Sequence, residues 1–145
     1  MSFKNDAHRK AVMASLQDKQ HWNRIRKIAE RARAVVVTKA RCKSLSGMCF
    51  DASAYLQRRL ASQGIDTKYR VGNNHAFLTH RGKIIDITAT QFGPKYGKVV
   101  IRPHVKMRRN DELVWDSSEY GLASDKEAGR EIETWHARRK MWKRK

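Results

Sequence analysis

A chain of 145 residues with 40% hydrophobic side chains suits one domain that closes its own core. Two cysteines, Cys42 and Cys49, exclude a disulfide scaffold. No run approaches the roughly 18 apolar residues of a membrane span, and the opening MSFKNDAHRK lacks the apolar core of a secretory leader, which predicts a soluble, cytoplasmic protein. The formal charge of +18 is uneven: residues 1–48 carry a net +9, residues 49–97 +4 and residues 98–145 +5. Such a balance predicts attraction to an acidic protein, nucleic acid or an anionic surface, and concentrates it in the two flanks.

Residues 5–34 read as helix. Ala7, Ala11, Ala14 and Leu16, then Trp22, Ile25, Ile28 and Ala29, recur at helical spacing without Gly or Pro. The pattern leaves open one helix or two with a break near Gln20. Arg24, Lys27 and Arg31 form a basic stripe. The β-branched run Ala34–Thr38 reads either as a strand or as a buried helix end, and the polar stretch to Gly47 as a loop. From Cys49 to Gln63 the helical period returns, closed by Gly64. The period then changes to two. Residues 65–71, 75–80 and 83–88 read as strands joined by turns at Gly72-Asn73-Asn74 and Arg81-Gly82-Lys83. Residues 98–102 predict a fourth strand, and residues 103–118 carry no clear period. Residues 125–142 read as a helix with Asp125 as its cap, acids early, bases late, and Ile132, Trp135 and Trp142 placed to cover an apolar surface. The sum is an α+β chain in which a Cys-bearing helix packs on a small antiparallel sheet between helical flanks. It reads as a single domain over 1–145, with a core over about 40–102 and basic flanks over 1–39 and 103–145.

Three residues in this frame carry chemistry. Cys49 opens a helix just after Gly47, where unpaired backbone N–H groups favour a thiolate and can hold an oxyanion. His75 opens a strand. Asp86 sits between Ile85 and Ile87 in the next strand, one diagonal cross-strand step from His75, and a carboxylate among aliphatic neighbours needs a partner. Thiol, imidazole and carboxylate are the parts of an activated nucleophile.

The stretch from Gly47 to Phe92, GMCFDASAYLQRRLASQGIDTKYRVGNNHAFLTHRGKIIDITATQF, resembles the core of the papain-like cysteine enzymes in their transglutaminase-like form, with Cys at a helix start, His at a strand start and Asp in the following strand. Arylamine N-acetyltransferases and the small papain-fold toxins and deamidases of bacteria look similar. The resemblance covers about a third of the chain. It implies a papain/transglutaminase-like core and a Cys49–His75–Asp86 triad. The activity implied is acyl transfer at an amide bond of a protein or peptide, through a thioester and without a cofactor, as a peptidase, glutamine deamidase or transglutaminase-like enzyme. Papain has a Gln shortly before its Cys; here that stretch is Arg41–Ser46, with no Gln, and the candidates for a second oxyanion or substrate-contacting donor are Ser46, Asn74 and Gln91. A metal site from Cys42, Cys49, His75 and His80 lacks the paired spacings of zinc motifs; Cys42 reads as a bystander, and His8, His21, His104 and His136 carry no partner signal. The competing reading is a non-catalytic, basic nucleic-acid-binding protein.

Overall fold

The computed structural model describes residues 5–40, 45, 47–93, 95–115 and 118–143. Helix α1 runs unbroken over Asp6–Ala40, so the break considered near Gln20 is absent. The β-branched run 34–38 is its last turns, with the Thr38 hydroxyl donating to the Ala34 carbonyl over 2.9 Å. Ile25, Ala29, Ala32 and Val36, spaced four, three and four apart, form one buried stripe. That stripe packs against α2 (Cys49–Ala61), which buries Ala52, Leu56 and Leu60. Tertiary packing thus holds in a helix a segment whose local preference is divided. The first half of α1, residues 6–20, lies almost wholly in solvent.

Strands β1 (Lys68–Gly72), β2 (His75–His80), β3 (Lys83–Asp86) and β4 (Val100–Pro103) form one antiparallel sheet in that order. Its turns use the residues read as turn formers: Asn73 and Asn74 at φ 52° and 58°, and Arg81 and Gly82 at 49° and 76°. Leu78 pairs with Ile85 and Thr79 with Ile84. This register puts Leu78, Ile85 and Ile87 in the core shared with α1 and α2. His75, Phe77, Ile84 and Asp86 take the opposite face by alternation, where Tyr120 joins Phe77 and Ile84. Both faces are therefore covered, which accounts for the apolar HAFL on each side of β2.

The stretch without a clear period holds a hairpin, β5 (Lys106–Arg109) and β6 (Glu112–Trp115). Its root is fixed by His104, stacked on Trp115 at 3.9 Å between centroids. A short 3-10 turn over Ser118–Tyr120 follows, then α3 over Asp125–Lys143. The cap of α3 is Ser124 and not Asp125: its Oγ accepts the Glu127 N–H over 3.2 Å. Among the described residues the architecture is α+β, three α-helices with a four-stranded antiparallel sheet and a separate two-stranded hairpin. Among the described residues, no helix is long and apolar enough to cross a membrane. Trp142 and His136 lie outside the described side chains, and Cys42 and Ser46 outside the described residues.

Candidate functional site

Cys49 is the first residue of α2, after Gly47 at φ 78° and with Met48 at the N-cap position, which makes no side-chain cap bond. The Ala52 N–H is bonded to the Met48 carbonyl over 2.8 Å, so the N–H groups of residues 49–51 precede the helical ladder. The sulfur donates to the Asn74 carbonyl over 3.7 Å, beside the His75 ring, whose pKa it helps to raise. Two bonds hold α2 against the strands that carry the other groups. Ser53 Oγ donates to the Ala76 carbonyl over 2.9 Å, and the Tyr69 hydroxyl to the Phe50 carbonyl over 3.0 Å.

His75 and Asp86 stand on one face of the sheet, as their parity requires, and His75 Nε2 lies 2.8 Å from Asp86 Oδ2. With Nε2 committed to the carboxylate, Nδ1 is the nitrogen left to face the thiol. Asp86 is saturated. The Tyr120 hydroxyl also donates to Oδ2, over 2.9 Å, while the Thr88 N–H and hydroxyl donate to Oδ1 over 2.8 and 3.0 Å. A carboxylate with four donors is held in one orientation and cannot swing away from the ring. Burial alone would lower the His75 pKa. The hydrogen bonds and negative charge of Asp86 and Cys49 outweigh it and raise the value to about 9. Burial beside Asp86 pushes the Tyr120 phenol far upward, so it remains a donor at any working pH.

Gln91, in the 3-10 turn Ala89–Phe92, reaches both neighbours: its Nε2 lies 3.3 Å from His75 Nδ1 and 3.3 Å from Thr88 Oγ1. An amide that turns about its last torsion can donate to a neutral Nδ1 or accept from a protonated one. Arg33 of α1 sits under this turn. It is buried and donates to the Ile87 carbonyl over 2.6 Å and to Thr90 Oγ1 over 3.2 Å. Burial lowers its pKa and the charge of Asp86 opposes that. The Phe92 ring meets His75 edge-on at 4.7 Å.

The structure thus brings Cys49, His75, Asp86, Gln91 and Asn74 together. Asn74 contributes its backbone, the carbonyl to the thiol and the N–H to Glu131 Oε1 over 3.1 Å. Tyr120, Thr88 and Arg33 were not read from the sequence. Thr88 had a signal, since it lies two residues beyond Asp86 on the same face; Tyr120 and Arg33 lie 34 and 54 residues from their partners and had none. Two of the histidines without a partner signal, His21 and His104, have ring partners. His21 Nε2 lies 2.9 Å from His80 Nε2, whose Nδ1 faces the Asp66 carbonyl, and His104 Nε2 bonds the Tyr120 carbonyl over 2.9 Å. His80 is therefore engaged by α1 and not by Cys49. Among the described residues no three His, Cys, Asp or Glu side chains converge as a metal site. A cleft of about 560 Å³ opens elsewhere, between α1 and the approach to β4, lined by Glu30, Arg33, Ala34, Val37, Lys98 and Val99.

Chemically, the cluster can pass a proton from sulfur to imidazole and stabilise the resulting imidazolium through a fixed carboxylate. No protein-family model, curated protein or solved structure matches this chain.

Proposed function

We propose that the chain is a cysteine-dependent acyl-transfer enzyme that acts on an amide bond of a protein or peptide. The observation that carries this reading is the Cys49 sulfur 3.7 Å from the carbonyl of Asn74, the residue next to His75, while His75 Nε2 is held 2.8 Å from Asp86 Oδ2. In this reading the proton shared by the Cys49–His75 pair sits on Nδ1 as the sulfur attacks the amide carbon. The C–N bond breaks, the amine leaves with the proton from Nδ1, and a thioester remains on Cys49. Water or an amine then attacks the thioester, His75 takes the attacker's proton and the sulfur departs. The N–H groups that begin α2 stand where an oxyanion on the reacting carbon would need donors. Asp86 keeps the ring oriented and stabilises its charge. The order of these residues along the chain is that of the transglutaminase-like papain-fold enzymes, which places peptidases, glutamine deamidases and acyltransferases within the proposal.

Iodoacetamide labelling tests it. At neutral pH His75→Ala should slow the alkylation of Cys49 and leave that of Cys42 unchanged. A Cys49 rate insensitive to His75 would refute an activated thiol. The chemistry is then read by mass on a candidate protein substrate: a gain of about one mass unit for deamidation, cleavage for a peptidase, a cross-link for a transferase.

A second reading, nucleic-acid binding, draws on the net charge of +18. It predicts an affinity for duplex or single-stranded nucleic acid that falls linearly in log–log form with salt. Absence of retention at 50 mM salt would remove it.

A further inference from the structure

The Cys49 site is complete but closed. Cys49 is 4% exposed and His75 1%, so no polypeptide amide reaches the sulfur in this conformation. Phe77, Phe92 and Tyr120 enclose His75, and over Cys49 a further element, α3, joins Phe50 and Tyr69 in the cover. Ala128 and Ile132 of α3 pack on the patch formed by Cys49, Val71 and Ala76. Beside them Trp135 stacks on Phe50 at 5.7 Å and 23°, and its indole N–H donates to Asp51 Oδ2 over 3.2 Å. Glu131, on the same side of the helix, accepts the Asn74 N–H through Oε1. Among the described residues, these contacts fall on the strands, turn and helix start that surround the thiol.

The seat is imperfect in an informative way. The second oxygen of Glu131, Oε2, is buried with no hydrogen-bond partner among the described residues. Desolvating an unpaired carboxylate oxygen opposes the docking of α3. The helix is otherwise strongly polar over its first eleven residues, DKEAGREIETW, so among the described residues its hold on the domain rests on the few side chains named above. A cover of this kind opens at a lower free energy than the core beneath it.

We propose that the surface under α3 is the substrate-binding cleft of the Cys49 site and that α3 is its intramolecular occupant. This rests on the reading of Cys49 as a nucleophile. The contacts α3 makes define what replaces it: a polypeptide segment with an aromatic side chain for the Phe50 ring, and a carbonyl or carboxylate oxygen for the Asn74 N–H. The chain as folded is thereby self-blocked, and a substrate or partner competes with a tethered helix, a competitor of high effective concentration.

The test compares full-length wild type with the full-length variant Ile132→Asp/Trp135→Ala, after circular dichroism and thermal melting show that the variant core is folded. Cys49 alkylation, followed by peptide mass mapping, should be at least about tenfold faster in the variant than in wild type. In the variant, an N-iodoacetyl-tryptophan amide should label Cys49 about fivefold faster than iodoacetamide, an advantage expected from aromatic stacking and lost in Phe50→Ala. Equal rates in wild type and variant would overturn the cover, and equal rates for the two reagents would overturn the aromatic subsite. Adding His75→Ala to the variant separates the two proposals. If labelling stays fast, α3 still covers the thiol but Cys49 is not activated by His75; if it slows, both stand.

Discussion

Tyr120 and His75 meet at a single atom: the phenol O–H and the imidazole Nε2–H both donate to Oδ2 of Asp86, over 2.9 and 2.8 Å. Tyr120 is fully buried and its phenol is held protonated by burial and by Asp86, so it draws charge density from the same oxygen that binds the ring. Tyr120→Phe should leave Asp86 a stronger partner for His75. The His75 ring, followed by NMR, should then titrate above its value of about 9. Stability should fall by about 1–2 kcal/mol in urea titrations for the lost buried bond. An unmoved His75 titration would reduce Tyr120 to a packing role.

The pH dependence of stability follows from the same ring. The folded His75 pKa of about 9 lies above the ordinary value of 6.5, so between these values the native state holds a proton that the unfolded chain releases. The contribution is complete below about pH 6.5 and is lost as pH rises through about 9, with a size on the order of 3 kcal/mol. Denaturant midpoints from pH 6 to 10 should therefore decline more steeply for wild type than for His75→Asn. Parallel curves would contradict a raised His75.

Gly72 ends β1 where the segment leading to α3 crosses it. A Cβ there would lie 1.9 Å from the Gly121 carbonyl oxygen and 2.8 Å from Ala123 N, whose N–H bonds the Val71 carbonyl over 3.2 Å. Both obstructions are backbone and cannot rotate away. Gly72→Ala should push this segment off β1, cost about 1–3 kcal/mol, and speed hydrogen exchange at the Ala123 amide. Unchanged exchange there would show that the crossing is not tight.

Arg33 supports the site from behind. Removing its guanidinium in Arg33→Met deprives the buried Ile87 carbonyl and Thr90 hydroxyl of this donor. A loss of about 1–3 kcal/mol is expected, with slower Cys49 alkylation as Gln91 and Phe92 lose their fixed places beside His75. Retention of both stability and labelling rate would show that the 3-10 turn stands without it.

Much of the site's skeleton was local, and local features were legible. Gly47 before a helical pattern placed Cys49 at a helix start, Asn73–Asn74 and Arg81–Gly82 marked the turns, and the short second turn fixed which strand face Asp86 shares with His75. Where two local preferences competed, reading stopped. Ala34–Thr38 suits a strand or a helix equally, and burial of Val36 against α2 decided for helix. Ser124 and Asp125 are both good caps, and only the backbone path makes Ser124 the one that bonds Glu127.

The sequence by itself determined that a thiol, an imidazole and a carboxylate would sit at the start of a helix and on one face of a hairpin, because helix starts, turns and strand parity are set by residues a few positions apart. Only the tertiary structure decided that Tyr120 and Thr88 saturate Asp86, that a buried Arg33 props the turn behind it, and that α3 covers Cys49. With Thr88 excepted, these contacts join side chains far apart in the chain. No spacing encodes them, because they exist only once both sheet faces and the helix stripes have been buried together.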